Sequence, residues 1–196
     1  MITITYWHMI CFITLIWIIS RIIVCTINKK FTLKRELKLL MVYVCIVVIC
    51  RMVYFPLHQV DGHIGTLTFD KNRVFPFWTN IKPFTFIWER YDGWKVNIVG
   101  NITMFIPVGI VWPVCFKKLN NFQNTLLAGT AFSLLIEISQ LPFSDHCSDI
   151  DDILLNTTGF AIGALIYFAV SRMSKNANIN VPNYTAKGGS GSSTSP

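Results

Sequence analysis

The run AFSLLIEISQ places a glutamate where an apolar helix has no use for one: Glu137 lies several residues inside a stretch of Phe, Leu and Ile, away from any helix end that needs a cap. A carboxylate there must be protonated, paired with a cation or bound to an ion, because a lone charge at mid-membrane costs at least about 2.5–3.5 kcal/mol. Ser133, Glu137 and Gln140 recur at i, i+4 and i+7, so they share one helical face. A second polar stripe follows in SDIDDILLNTTG, where Asp149, Asp152 and Asn156 fall at i, i+3 and i+7 and Gly159 and Gly163 continue the line inward. Asn97 and Asn101, one turn apart, supply a third.

Two kinds of chemistry suit this set. Glu137 and Asp152, with Asn101 or Asn156, form an oxygen-rich group of the type that holds magnesium or calcium, and such a divalent cation would activate water against a lipid phosphate. Alternatively, the same acceptors bind a phosphate-bearing ligand, with a metal ion or Arg51, from VVICRMVYF, standing between the carboxylates and its phosphates. No Ser or His lies in a nucleophilic constellation, which argues against a hydrolytic triad.

Each residue also has an ordinary role. Ser148 with Asp151 fits a capping box, and aspartates in a first helical turn complement the helix dipole. Asn97, Asn101 and Asn156 suit interhelical hydrogen bonds, Gly159 and Gly163 suit close helix packing, and Arg51 suits snorkelling to the interface. The sequons in GNIT and NTT fall inside helices. RVFPFWTNIKPFTFIW, rich in Phe and Trp and broken by Pro76 and Pro83, belongs at headgroup level; a functional reading makes it a lid that stacks on a sugar or prenyl group.

The elements that must position these residues are membrane helices. Of 196 residues 53% are hydrophobic and only 14% charged, with a positive mean hydropathy, which excludes an ordinary soluble domain. Five apolar segments, at 4–26, 36–55, 96–116, 125–140 and 152–171, approach or reach the 17–25 residues that span a bilayer; the fourth is short. The first lacks the basic lead and cleavage site of a signal peptide, so it reads as an uncleaved helix. The expectation is an all-α, multi-pass integral membrane protein of the cell membrane.

Lys29, Lys30, Lys34, Arg35, Lys38, Lys117, Lys118, Arg172 and Lys175 all fall on one side of a five-pass chain. By the positive-inside rule that side is cytoplasmic, the N-terminus is outside and the C-terminus inside. The polar stripes then lie at one level, in the outer third of the bilayer. The net charge of +7 describes this cytoplasmic rim and gives no reason to invoke nucleic acid. Of the six cysteines, Cys11, Cys25, Cys45, Cys50 and Cys115 sit in apolar runs without metal-ligand spacing, and Cys147 is a lone thiol in an outer loop.

From Glu36 to Val170 the chain resembles the VanZ-like family, membrane proteins associated with resistance to the glycopeptide antibiotic teicoplanin. The resemblance rests on the Pro-Phe of VFPF, on GNITMFIPVG with Asn101, Phe105, Pro107 and Gly109, and on SLLIEISQ followed by DIDDILLNTTG. It implies the membrane topology and the polar positions Glu137, Gln140, Asp149, Asp152 and Asn156. His146 stands where many members carry an Arg, three residues before the first Asp of the DxxD pair. The resulting division is an additional N-terminal helix with a basic loop at 1–35, a VanZ-like domain at 36–175, and a tail at 176–196 that ends in a flexible Gly/Ser linker. Two functions remain: tolerance to teicoplanin-type lipoglycopeptides through an outward polar pocket that engages an outer-leaflet lipid or wall precursor, or metal-assisted catalysis on a lipid-linked phosphate.

Overall fold

A computed structural model describes residues 2–29, 31–55, 64–70, 72, 79–88 and 93–179. A short strand, β1 (Ile2–Ile4), leads into α1 (Tyr6–Asn28), which turns into α2 (Leu33–Tyr54). Strands β2 (Leu67–Phe69) and β3 (Thr79–Asn80) and a single turn, α3 (Thr85–Trp88), precede α4 (Trp94–Cys115) and α5 (Phe122–Gln140); β4 (Ser148–Asp149) then introduces α6 (Ile150–Ile179). The linker expected near the C-terminus and the VFPF motif lie outside the described residues.

Local chemistry sets the helix ends. Thr5 caps α1, its hydroxyl accepting from His8 N–H while the Thr5 amide donates to the His8 ring, and Lys29 closes the helix in the left-handed region at φ 47°. Gly93, at φ 89°, opens α4, and the Asn121 side chain accepts from Asn124 N–H to cap α5.

Four helices are long and apolar enough to cross a membrane: α1, α2, α4 and the Ile150–Ser174 part of α6. The fifth expected span, α5, has 19 residues but is not among them, because Gln123, Asn124, Thr130, Ser133, Glu137 and Gln140 dilute its hydropathy. The chain is thus a helical, multi-pass membrane protein with four spans of sufficient apolar length among the described residues.

Helices α4 and α6 make the most extensive pairing, with α5 packed on α6 and α2 on α4. Glycine sets the α4–α6 distance. A Cβ added to Gly159 would lie 2.1 Å from the Ile102 carbonyl oxygen, one on Gly163 2.1 Å from that of Ile106, and one on Gly109 2.2 Å from that of Phe160. The small-residue stripe read from the sequence is therefore a packing seam. Beside it Ile49, Phe105, Val108, Ile136 and Phe160 form the buried core, and the Phe160 ring occupies the space that Gly129 leaves open. Helix α1 buries none of its residues; it joins α2 through a Thr14–Tyr43 hydroxyl bond at 2.7 Å and a two-pronged ion pair from Arg21 to Glu36 at 2.8 and 2.9 Å.

At one end of the bundle the chain adds short β pairings to the helices. Strands β1 and β2 pair antiparallel, with Thr3 opposite Thr68, and β3 pairs in parallel with β4, with Asn80 opposite Asp149. The loop after α5 joins them: Ser144 N–H donates to the Thr68 carbonyl, Asp70 N–H to that of Pro142, and the Asp145 carboxylate accepts from Thr68 N–H. Tyr54, Phe55 and Leu67 are buried beneath this cap, and the Tyr54 hydroxyl bonds that of Ser139. At the opposite end lie Lys34, Arg35, Lys38 and Lys117, where α2 starts and α4 stops.

Candidate functional site

Helices α2, α4, α5 and α6 enclose a cavity of about 220 Å³ just below the capped end. Asn97 and Asn101 face it from α4, Glu137 and Gln140 from α5, and Asp152 and Asn156 from α6. Met52 and Val53 of α2, with His146 and Cys147 of the α5–α6 connection, complete the wall. The glycine seam explains how α4 and α6 come close enough for their polar side chains to touch.

Protein donors hold each carboxylate by one oxygen. Asp152 Oδ1 accepts from Asn101 Nδ2 at 2.6 Å and from Asn97 Nδ2 at 3.5 Å, while Asn101 Nδ2 also donates to Asn97 Oδ1 at 3.0 Å. Glu137, only 2% exposed, accepts at Oε2 from the Ser148 hydroxyl at 3.2 Å and the Asp149 amide at 3.0 Å. Asn156 Nδ2 donates to Ser133 Oγ at 3.0 Å. Two further acceptors, Gln140 Oε1 and Asn156 Oδ1, are buried without a hydrogen-bond partner among the described residues. A buried polar atom left unpaired costs about 1–3 kcal/mol.

Of the residues expected at the site, the fold thus gathers Asn101, Glu137, Gln140, Asp152 and Asn156 around one space. It places Arg51 and Asp149 differently. Arg51 Nη1 donates to the Phe55 carbonyl at 2.7 Å and its guanidinium lies over the Tyr6 ring, so its described contacts belong to the capped end and not to Glu137. Asp149 sits in β4, one residue before α6, where the helical spacing that would align it with Asp152 does not yet apply. Its Oδ1 accepts from Asp151 N–H at 2.9 Å, capping α6, and its Oδ2 accepts from Asn80 Nδ2 at 3.1 Å.

The capping box expected of Ser148 and Asp151 is not formed. Ser148 turns to Glu137, and the Asp151 carboxylate binds the Phe84 amide at 2.5 Å, the Thr85 amide at 2.8 Å and the Thr85 hydroxyl at 2.7 Å. A three-donor loop offers this carboxylate more than one helix N–H does. The described part of the aromatic segment, 79–88, is thereby fastened to the start of α6; its remainder lies outside the described residues.

Met52, Val53, His146 and Cys147 are wall residues that sequence reasoning passed over as site members. The ring of His146 donates from Nε2 to the Tyr54 carbonyl at 3.2 Å, and burial pushes its pKa below the ordinary 6.5, so it is neutral near pH 7. The fixed positive charge that an Arg would bring to this position is thus absent at that pH. Among the described residues no group of three or more His, Cys, Asp or Glu side chains is placed to hold a metal ion, so the divalent-cation reading of Glu137 and Asp152 gains no support.

Comparison with known proteins bears on the same region. A family model described as VanZ/LLP1 matches residues 40–171, which contain every polar wall residue of the cavity and leave out α1. Protein VanZ of Enterococcus faecium is 32% identical over 88 residues, which cover 45% of this chain and 51% of that protein, so the match spans about half the relative's length. No solved structure matches the chain.

Proposed function

The chain belongs to the VanZ/LLP1 family, and from that premise we propose that it is a cell-membrane protein of a Gram-positive bacterium that confers tolerance to teicoplanin-type lipoglycopeptides. It acts through an outward-facing polar cavity that engages an outer-leaflet lipid or a lipid-linked wall precursor of the cell envelope. One observation carries the reading: polar residues from three helices of the matched region converge on a single void, with two buried amide oxygens unpartnered among the described residues. A wall of that kind is costly in an apolar bundle unless something occupies it.

The level of the cavity supports the choice of ligand. With the basic end cytoplasmic by the positive-inside rule, the void lies in the outer third of the bilayer. A lipid-tailed glycopeptide works at that depth, so a protein that alters the outer leaflet there need not touch the drug's peptide target.

Expression in a susceptible Gram-positive host should raise tolerance to teicoplanin severalfold more than tolerance to vancomycin. The effect should disappear with Glu137→Gln and with Asp152→Asn at matched membrane levels. The double variant should do little further harm, because members of one site are non-additive. Wild type and Glu137→Gln giving equal tolerance would remove the cavity from the mechanism.

A further inference from the structure

The hydrogen-bond pattern of the cavity restricts what enters it. All protein donors to Glu137 fall on Oε2 and all those to Asp152 on Oδ1, so Oε1 and Oδ2 have no partner among the described residues. Gln140, 5% exposed, and Asn156, 2% exposed, each line the same void with an unpartnered carbonyl oxygen. Among the described residues no Lys or Arg lines the cavity, and His146 is neutral, its pKa lowered by burial. Among the described residues the wall therefore presents unfilled acceptors and two carboxyl groups without a cation. A phosphate would meet two carboxylates there; an occupant with N–H donors and positive charge fits.

Size and access narrow the occupant further. A void of about 220 Å³ exceeds the roughly 30 Å³ share of one water several times over, which suits a small polyatomic group better than a bare ion. Next to it, between α2 and α4, runs an almost wholly apolar groove of about 600 Å³ lined by Val48, Val96, Val99, Thr103 and Met104. Met52 belongs to both walls and stands between them. Lys95 lines the groove where α4 begins, two residues and so about 3 Å of helical rise from Asn97, and therefore at the depth of the cavity. A cation at the headgroup end of an acyl-sized groove complements a lipid phosphate.

We propose that the cavity receives the primary ammonium of an aminolipid headgroup whose acyl chain lies in the α2–α4 groove and whose phosphate meets Lys95. This rests on the reading above that the site engages an outer-leaflet lipid, and it names the chemistry of that lipid. The ammonium has three N–H donors, which it gives to Glu137 Oε1, Asp152 Oδ2 and one of the amide oxygens of Gln140 and Asn156. A quaternary headgroup carries the charge but has no N–H to give, so it leaves those acceptors empty.

The full chain in detergent micelles tests this with added phosphatidylethanolamine, and with phosphatidylcholine and phosphatidylglycerol of the same acyl chains, read as the shift of the thermal unfolding midpoint. Phosphatidylethanolamine should half-saturate at a mole fraction about tenfold or more below the other two, since each charge-assisted hydrogen bond contributes about 1.5–3 kcal/mol. Glu137→Gln and Asp152→Asn should each erase that preference. Val99→Trp, which fills the groove, should weaken phosphatidylethanolamine while leaving free ethanolamine as it was.

Equal shifts from phosphatidylethanolamine and phosphatidylcholine on the unaltered protein overturn the ammonium assignment whether or not any variant folds. Free ethanolamine matching the lipid at equal concentration, with Val99→Trp indifferent to both, overturns the lipid source. The two readings fail separately. Loss of headgroup preference alongside a cellular effect of Glu137→Gln sinks only this proposal, and an intact preference in a protein whose Glu137→Gln form still confers tolerance sinks only the proposed function.

Discussion

Each carboxylate in the cavity is oriented by two protein donors on a single oxygen, which fixes where its second oxygen points. His146 contributes differently: as a neutral ring it bonds the Tyr54 carbonyl and packs edge-on against the Tyr54 ring, tying the α5–α6 connection to the end of α2. Because burial lowers its pKa, the unfolded chain binds a proton there more readily than the folded one does. The sign follows: stability from this residue is complete above about pH 6.5 and is lost as pH falls through its folded pKa. The unfolding midpoint of the wild type should therefore drop further between pH 7.5 and pH 5 than that of His146→Gln, which has no proton to take up at this position. Parallel curves for the two proteins would mean that His146 titrates alike folded and unfolded.

At the scale of elements, the α4–α6 seam decides whether the site exists. Asn101 reaches Asp152 at 2.6 Å because Gly159, one turn beyond Asn156, lets the Ile102 carbonyl approach the α6 backbone. Gly159→Val would place its Cβ 2.1 Å from that oxygen, which neither backbone can yield to without the helices separating. We expect a loss of about 1–3 kcal/mol or more, together with loss of the Asn101–Asp152 contact. Gly100→Ala is the matching control: its Cβ meets nothing within 4 Å, and the change should be neutral or stabilising by up to about 1 kcal/mol. Unfolding midpoints in detergent compare the two. Similar values would show that the seam tolerates expansion and that close approach does not hold the site together.

The whole molecule has a polar, β-capped end that gathers the N-terminus, the end of α2, the starts of α4 and α6 and the α5–α6 connection, and a basic end opposite. The cavity lies next to the first. If the basic end is cytoplasmic, Cys147, exposed in the α5–α6 connection, faces outward. With the other five cysteines replaced by Ala, a membrane-impermeant maleimide should label intact cells at Cys147. Labelling that appears only after permeabilisation would place the cavity in the wrong leaflet, and the proposed ligand with it. Helix α1 stands apart: it buries no residue and precedes the family match at 40–171, yet its leading strand β1 pairs with β2 and so helps to cap the site end.

The amino-acid sequence alone determined the long helices and the polar stripes on three of them, because hydropathy and the i, i+4 spacing are local properties that a helix preserves. It located Asn101, Glu137, Gln140, Asp152 and Asn156 for that reason, and the glycine stripe beside them. Those rules stop where the helix stops. Asp149 shares a stripe with Asp152 only if α6 already includes it, and the pairing of β4 with β3 makes it a cap instead. Asp151 and Arg51 were likewise assigned by contacts distant in the chain, with Thr85 and Tyr6, that no local pattern encodes. The entry of His146 and Cys147 into the cavity wall, and the oxygens left without partners, follow from how four helices are rotated and spaced against one another. Only tertiary packing decided that, because the rotation is set by the volumes and backbone approaches at the α4–α6 seam.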